Sequence, residues 1–432
     1  MSGNRLGLGA GTALYVGAVV GPGVLVLPAL AAATAGPASI AAWALLLALS
    51  VPVAATFAAL GARHPDGGGT AVFVGRAFGD RAAAVVGWWF YAVVPVGVLS
   101  GAMVGGEYVA AALGAGPSTG MGAALVILAA AFGANCVGLS LSGRMQLVVI
   151  ATLVILLCVA MAVAAPDVSA DNFTPFAPHG AASVGSAVAL LFYAFAGWEA
   201  ASHLSAEFAH PRRDLAIATA VAVTVVAVLY LGLSVVTVGV LGGSGDIGTV
   251  PLLALVDRGM GALSAPVVAV VAVCLTFGGV NTFVAGAARL GAALARDGHL
   301  PRWMASGGAA GQVPRRSLMV QAALVALAAA LVITGGVGLE PLMRITSVFL
   351  AAVTAVAMAA AVVLLPRGGL LRFAAVVAAV FTTVVLAWSG LLVALPAGVA
   401  VLALALRRTP AARARSGTGR PRGHAVETSA TR

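Results

Sequence analysis

The chain has 432 residues, of which 61% are hydrophobic and only 8% charged, with a mean hydropathy of +1.09. Soluble domains carry about 25% charged residues, so this composition excludes a soluble globular protein and implies a polytopic membrane protein. The formal net charge of +10 comes from arginine with no lysine, and the arginines sit in short loops and the C-terminal tail, which argues against nucleic acid as a partner.

Apolar runs of about 20 residues, each long enough to cross a bilayer, recur along the chain. Twelve spans are expected, near 6–34, 38–62, 81–113, 121–138, 144–165, 184–208, 213–241, 263–296, 316–336, 339–364, 370–387 and 389–406. The first run is too long for a cleaved leader and lacks a small-residue cleavage site followed by a polar segment. With the N-terminus inside, 21 of the 23 arginines fall on cytoplasmic segments, leaving Arg258 and Arg344 at the outer face. Such a bias arises only when the number of crossings before each loop is right. Both termini are therefore expected in the cytoplasm.

The first span is interrupted by Val20-Gly21-Pro22-Gly23-Val24. Each glycine lowers helix propensity by about 1 kcal/mol, and Pro22 removes a donor and clashes with the preceding turn. In lipid, freed backbone groups must find partners, so a break is tolerated where it lines a protein-buried cavity. The amides of Gly21, Gly23 and Val24 would open the half-helix that follows, and helix N-termini attract anions, so a substrate carboxylate fits there. A plain proline kink is the alternative reading.

After the second span, the stretch from Arg63 through His64 and Pro65 to Gly69 cannot continue a helix. Residues 70–79 read as a short amphipathic piece on the inner surface. In the third span, Gly105-Gly106-Glu107-Tyr108 places an acid towards the outer end, as a gate or an interfacial charge. Asn135 and Asn281 are expected to bond between helices. Cys136, Cys158 and Cys274 fall inside apolar segments, so buried packing rather than a disulfide framework is expected. The segment from Asp167 to His179 reads as an ordered outer loop.

The sixth span carries Phe192 to Glu207, with Gly197-Trp198-Glu199 near the middle. A charge at the bilayer centre costs roughly 3 to 17 kcal/mol, which marks Glu199 as functional. The carbonyls of Phe195, Ala196 and Gly197 are candidates to accept a substrate ammonium. Glu199, His203 and Glu207 follow at i, i+4 and i+8 on one helix face and form a candidate proton path. The alternative for Glu207 is a simple place at the inner interface. Phe192, Phe195 and Trp198 are candidates for a gate or side-chain pocket, although aromatic packing alone would also explain them.

In the eighth span, Phe277 with Gly278-Gly279 is a candidate to approach the substrate, and Arg289 to Pro301 marks the cytoplasmic exit. The tail, residues 407–432, is polar, basic and expected to be disordered. No metal-ligand spacing, phosphate loop or Ser/His/Asp arrangement is present, so no cofactor, metal or enzymatic activity is expected, and an ATP-driven pump is excluded. Two interrupted helices in corresponding positions of two halves point to the substrate site of a secondary transporter.

These residues resemble the amino acid–polyamine–organocation (APC) superfamily over about residues 5–405. Gly21-Pro22-Gly23-Val24 with Pro28, the loop from His64 to Gly79, Phe195–Glu199 with Glu207–Pro211 and Arg213, and Ala287–Pro301 resemble its motifs in the same order. VGPGVLVLPALAA and GWEAASHLSAEFAHPRRD are most similar to bacterial exporters of methionine and branched-chain amino acids. Pro22 stands where a small hydroxyl residue is usual in that group. The resemblance implies an all-α integral membrane fold of about twelve helices. It consists of a five-plus-five inverted repeat with helices 1 and 6 broken (about 6–165 and 184–364), then two extra helices at about 370–406.

It further implies that the backbone around Gly21–Val24 binds the carboxylate, that the backbone around Phe195–Trp198 binds the α-amine, and that Glu199 takes part in proton or gating chemistry. The expected activity is secondary transport of small apolar amino acids (methionine, leucine, isoleucine, valine) across a bacterial plasma membrane by alternating access. Proton-coupled export is the first reading, with an importer or exchanger as the alternative and a non-transporting sensor as a third. An apolar side chain fits because the segments around the breaks offer no second charged group.

Overall fold

A bilayer core offers the backbone no hydrogen-bond partners, so a chain this apolar must satisfy its amides and carbonyls within each segment. The computed structural model describes residues 8–63, 69–138, 143–195, 197–199, 211–242, 250–307 and 312–406, and no strand occurs among them. Ala196, His203 and Glu207 lie outside the described residues, as do His64–Gly68 and the tail from Arg407.

The helices are α1 (Leu8–Val19), α2 (Leu27–Ala35), α3 (Ser39–Arg63), α4 (Gly69–Phe78), α5 (Asp80–Ala112), α6 (Pro117–Cys136), α7 (Gly143–Ala164) and α8 (Ala181–Leu191). They continue with α9 (Pro211–Leu241), α10 (Pro251–Met260), α11 (Ser264–Arg296), α12 (Arg315–Gly335), α13 (Leu339–Leu364), α14 (Leu370–Trp388) and α15 (Ala394–Ala405). Among the described residues, nine helical stretches are long and apolar enough to cross a membrane. Among the described residues, eleven of the expected runs coincide with a helix or an interrupted helix, the sixth is described only as far as Glu199, and the piece expected at 70–79 is α4.

The outer surface bears out the membrane reading. Val126, Leu327, Leu331 and Val380 are all more than half exposed on their helices. An apolar surface of this kind suits helices that face lipid. All three cysteines are unpaired and lie on exposed faces, which corrects the expectation of buried packing: their apolar surroundings are supplied from outside the bundle. The loop from Asp167 to His179 is ordered, with the Asn172 side chain and the Ser169 amide both donating to the Gly239 carbonyl at 2.7 and 2.9 Å.

Two apolar clusters organise the interior. One gathers α1, α2, α3, α8 and α9, including Trp43, Phe57, Phe192 and Tyr230. The other gathers α5, α6, α11 and α12 around Leu99, Ile127, Val284 and Val325. Within the second cluster, small residues let backbones approach closely. A methyl on Gly106 would collide with the Gly120 carbonyl of α6, and one on Gly105 would collide with the Thr276 hydroxyl of α11. The Asn135 side chain donates to Asn281 Oδ1 at 2.8 Å across α6 and α11, the interhelical bond expected of that pair. With 33 residues, α5 is about 50 Å long and runs beyond the hydrocarbon core as a central post.

Candidate functional site

The first span stops at Val19, because Gly21 takes an extended conformation and Pro22–Leu25 winds into a tight 3-10 turn before α2 begins. The turn uses up amides that an open break would leave free. Gly21 N–H donates to the Val19 carbonyl at 2.9 Å, and Val24 N–H donates to Gly21 at 3.2 Å. Of the three amides expected to face an anion, Gly23 is the one with no acceptor among the described residues.

The sixth span breaks in parallel fashion. α8 ends at Leu191, a 3-10 turn covers Phe192–Phe195, and a second turn takes in Gly197–Glu199. Gly197 has φ of 116°, a conformation that a side chain would strain, so the bend needs glycine. Its amide donates to the Glu199 carboxylate at 3.0 Å. Trp198 is buried with its ring edge-on to Tyr15 at 5.9 Å, and the Tyr15 hydroxyl donates to the Trp198 carbonyl at 3.3 Å. α1, on the N-terminal side of the first break, is thereby joined to the turn of the second.

The two breaks also touch each other. A methyl on Gly23 would sit 3.1 Å from the Tyr193 ring, so the missing side chain makes room for that ring. Beside this contact lies an apolar cavity. The breaks contribute Gly21, Pro22, Gly23, Tyr193 and Ala194 to its wall. α5 adds residues including Phe90, Val94, Gly97 and Gly101, α11 adds Gly279, Val280 and Phe283, and Tyr230, Thr346 and Leu350 also line it. The cavity therefore opens where the two apolar clusters meet.

No charged side chain lines the cavity among the described residues, and the side-chain polar groups on its wall are three hydroxyls. Each is already engaged. Tyr193 Oη lies 3.2 Å from Ser100 Oγ and 3.4 Å from the Gly97 carbonyl, to which it donates. Tyr230 donates to the Val19 carbonyl at 3.3 Å, and Thr346 donates to Leu342 at 2.9 Å. The wall is therefore apolar apart from hydroxyls that are already hydrogen-bonded.

The expected site residues divide. Gly21, Pro22 and Gly23 line the cavity, and Val24 is buried behind them. Phe192 and Phe195 stack on one another at 4.4 Å and turn towards Phe381 of α14, with centroids at 6.4 and 6.3 Å. Phe277 packs among α5, α6, α11 and α12, while Phe283 reaches the cavity. Helical geometry explains the difference: Gly279, Val280 and Phe283 share a face, whereas Phe277 lies about 200° around the helix from Gly279. Glu199 is half-buried next to Trp198 and is absent from the cavity wall. Tyr193 and the α5 glycines were passed over, although Gly97, Gly101 and Gly105 recur every four residues and so signal a close-contact stripe.

Comparison with known proteins gives a consistent picture. A family model described as amino acid permease matches residues 6–411. The uncharacterized amino acid permease YecA of Bacillus subtilis is 35% identical over 389 residues, covering 90% of this chain and 91% of the relative. The L-methionine/branched-chain amino acid exporter YjeH of Escherichia coli is 37% identical over 234 residues, covering 54% and 56%. The branched-chain amino acid permease BcaP of Bacillus subtilis is 29% identical over 251 residues, 53% of each chain.

Proposed function

The chain belongs to the amino acid permease family, and from that premise we propose that it moves small apolar amino acids, methionine, leucine, isoleucine or valine, by alternating access in a bacterial plasma membrane. The observation that carries the substrate class is the cavity wall, apolar except for three hydroxyls already hydrogen-bonded and bordered by both helix breaks. In this reading the substrate carboxylate meets the first break at the Gly23 amide, the ammonium meets backbone carbonyls of the sixth-span break around Phe195–Trp198, and the side chain lies against α5 and α11. Substrate bound between the breaks favours one of two open conformations, and rocking of one cluster against the other exposes it to either side.

Proton-coupled export is the direction and coupling we favour, with both termini cytoplasmic. Its support is the sixth-span acid, Glu199, held at the bend beside the site, and likeness to a protein named as an exporter. Likeness to a protein named as a permease of branched-chain amino acids favours uptake of the same substrates as the second reading.

Counterflow in proteoliposomes tests the proposal without assuming a driving force. Vesicles are preloaded with individual unlabelled amino acids and given trace labelled leucine or methionine. Accumulation with methionine, leucine, isoleucine or valine, and not with lysine or glutamate, is the expected result. Folded protein that accumulates label with none of them overturns it. An imposed pH gradient then decides between export and uptake.

A further inference from the structure

Tyr108 stands on α5 next to the two glycines that fix this helix against its neighbours. Gly106 meets the backbone of α6, and Gly105 meets Thr276 of α11. The ring is 1% exposed and its hydroxyl carries two bonds to separate elements. It donates to the Leu25 carbonyl at 2.8 Å and accepts from the Leu252 amide at 3.2 Å.

Both partners are groups that a broken or starting helix leaves over. In an unbroken first span the Leu25 carbonyl would accept from the amide four residues on. Here α2 opens with Val26 as its cap, and its first such bond runs from Leu30 to Val26 at 3.1 Å. At the other partner, α10 begins at Pro251 with no side-chain cap from Val250. Its Leu252 amide lies in the first turn, while the amides of Leu253 and Ala254 turn back to Val250 at 3.0 and 3.4 Å. One hydroxyl therefore satisfies an orphan carbonyl of the first break and an orphan amide of α10. Leu25 follows by two residues Gly23, which lines the cavity.

We propose that Tyr108 is a positioning residue for transport: its hydroxyl holds the 3-10 turn that walls the substrate cavity and docks α10 against it, so that cavity occupancy and α10 docking are linked. The proposal rests on the transport reading above and adds to it a residue outside the cavity. Packing alone does not require the hydroxyl, since a phenylalanine would fill the same apolar space.

The test compares Tyr108→Phe with Tyr108→Leu in the full chain. Counterflow of leucine and methionine is measured alongside maleimide labelling of Leu253→Cys on α10, with Cys136, Cys158 and Cys274 replaced by serine. The Phe variant is expected to fold like wild type and raise the half-saturating concentration about fivefold through loss of both hydrogen bonds. Its maximal rate should stay within about twofold. Leu253→Cys should label faster in the Phe variant without substrate, and substrate should protect it only when Tyr108 is present. Unchanged kinetics and labelling in the Phe variant, with a defect in the Leu variant, would reduce Tyr108 to packing and overturn the proposal. If the wild type shows no counterflow with any amino acid, the transport reading fails instead, and the substrate-free labelling comparison still decides whether the hydroxyl docks α10.

Discussion

The Gly197 amide donates to the carboxylate of Glu199 at 3.0 Å, so the acid is bonded to the bend that interrupts its own span. Any change in the charge of Glu199 acts directly on that bend. In the proposed mechanism, a proton gained or lost at Glu199 would reach the break through that one bond.

Glu199→Gln separates the acid's charge from its structural bond. A glutamine carbonyl oxygen accepts from Gly197 as the carboxylate does, so the bend is retained. Counterflow should stay within about twofold of wild type, because exchange needs no net proton movement. Accumulation driven by an imposed pH gradient should fall to the level of protein-free vesicles. Gradient-driven accumulation at the wild-type rate would remove Glu199 from proton coupling.

Gly101→Ala probes the size of the cavity. An added methyl would lie 3.3 Å from Pro22 Cγ and 3.7 Å from both Tyr193 Oη and Val280 Cγ2, which narrows the wall without adding a charge. One methyl group in an apolar pocket changes selectivity by about tenfold or more. Counterflow with leucine and methionine should therefore weaken by about that factor relative to valine, read from competition in one preparation. Equal losses for all three substrates would place the side-chain pocket elsewhere.

Ser100→Ala removes the hydroxyl beside Tyr193 Oη and leaves the Gly97 carbonyl as its acceptor. A single neutral hydrogen bond contributes about 1 kcal/mol net, so the half-saturating concentration should rise no more than about fivefold. The effect should vanish when Tyr193 is already phenylalanine, and a double-mutant cycle on counterflow measures this. Additive losses would show that Ser100 does not act through Tyr193.

The reach of sequence reasoning followed from how strongly the membrane constrains each feature. Spans were legible because twenty apolar residues have few other uses, and the breaks were legible because Gly21-Pro22-Gly23 and Gly197-Trp198-Glu199 are costly in lipid. The wall contributed by α5 and α11 was not. A helix apolar on every side carries no polar face to reveal which side points inward. Gly97 and Gly101 therefore read like Gly105 and Gly106, although the first pair lines a cavity and the second fixes neighbouring helices. Phe277 and Phe283 were indistinguishable for the same reason. The amides of Gly21 and Val24 were expected to be open, but the fold closes both, Gly21 onto Val19 and Val24 within the 3-10 turn onto Gly21.

Gly106 and Gly122 separate helix packing from helix propensity. Alanine favours a helix over glycine by about 1 kcal/mol, so Gly122→Ala, with nothing within 4 Å of the added methyl, should be neutral or slightly stabilising. At Gly106 the same methyl would meet the backbone carbonyl of Gly120, which no rotamer change relieves. Forcing α5 and α6 apart should cost about 1–3 kcal/mol and outweigh the propensity gain. Gly106→Ala should therefore lower the temperature at which detergent-solubilised protein loses its monodisperse elution peak, while Gly122→Ala keeps or raises it. A shared fall in both variants would mean that glycine itself, rather than the contact with Gly120, is what these helices require.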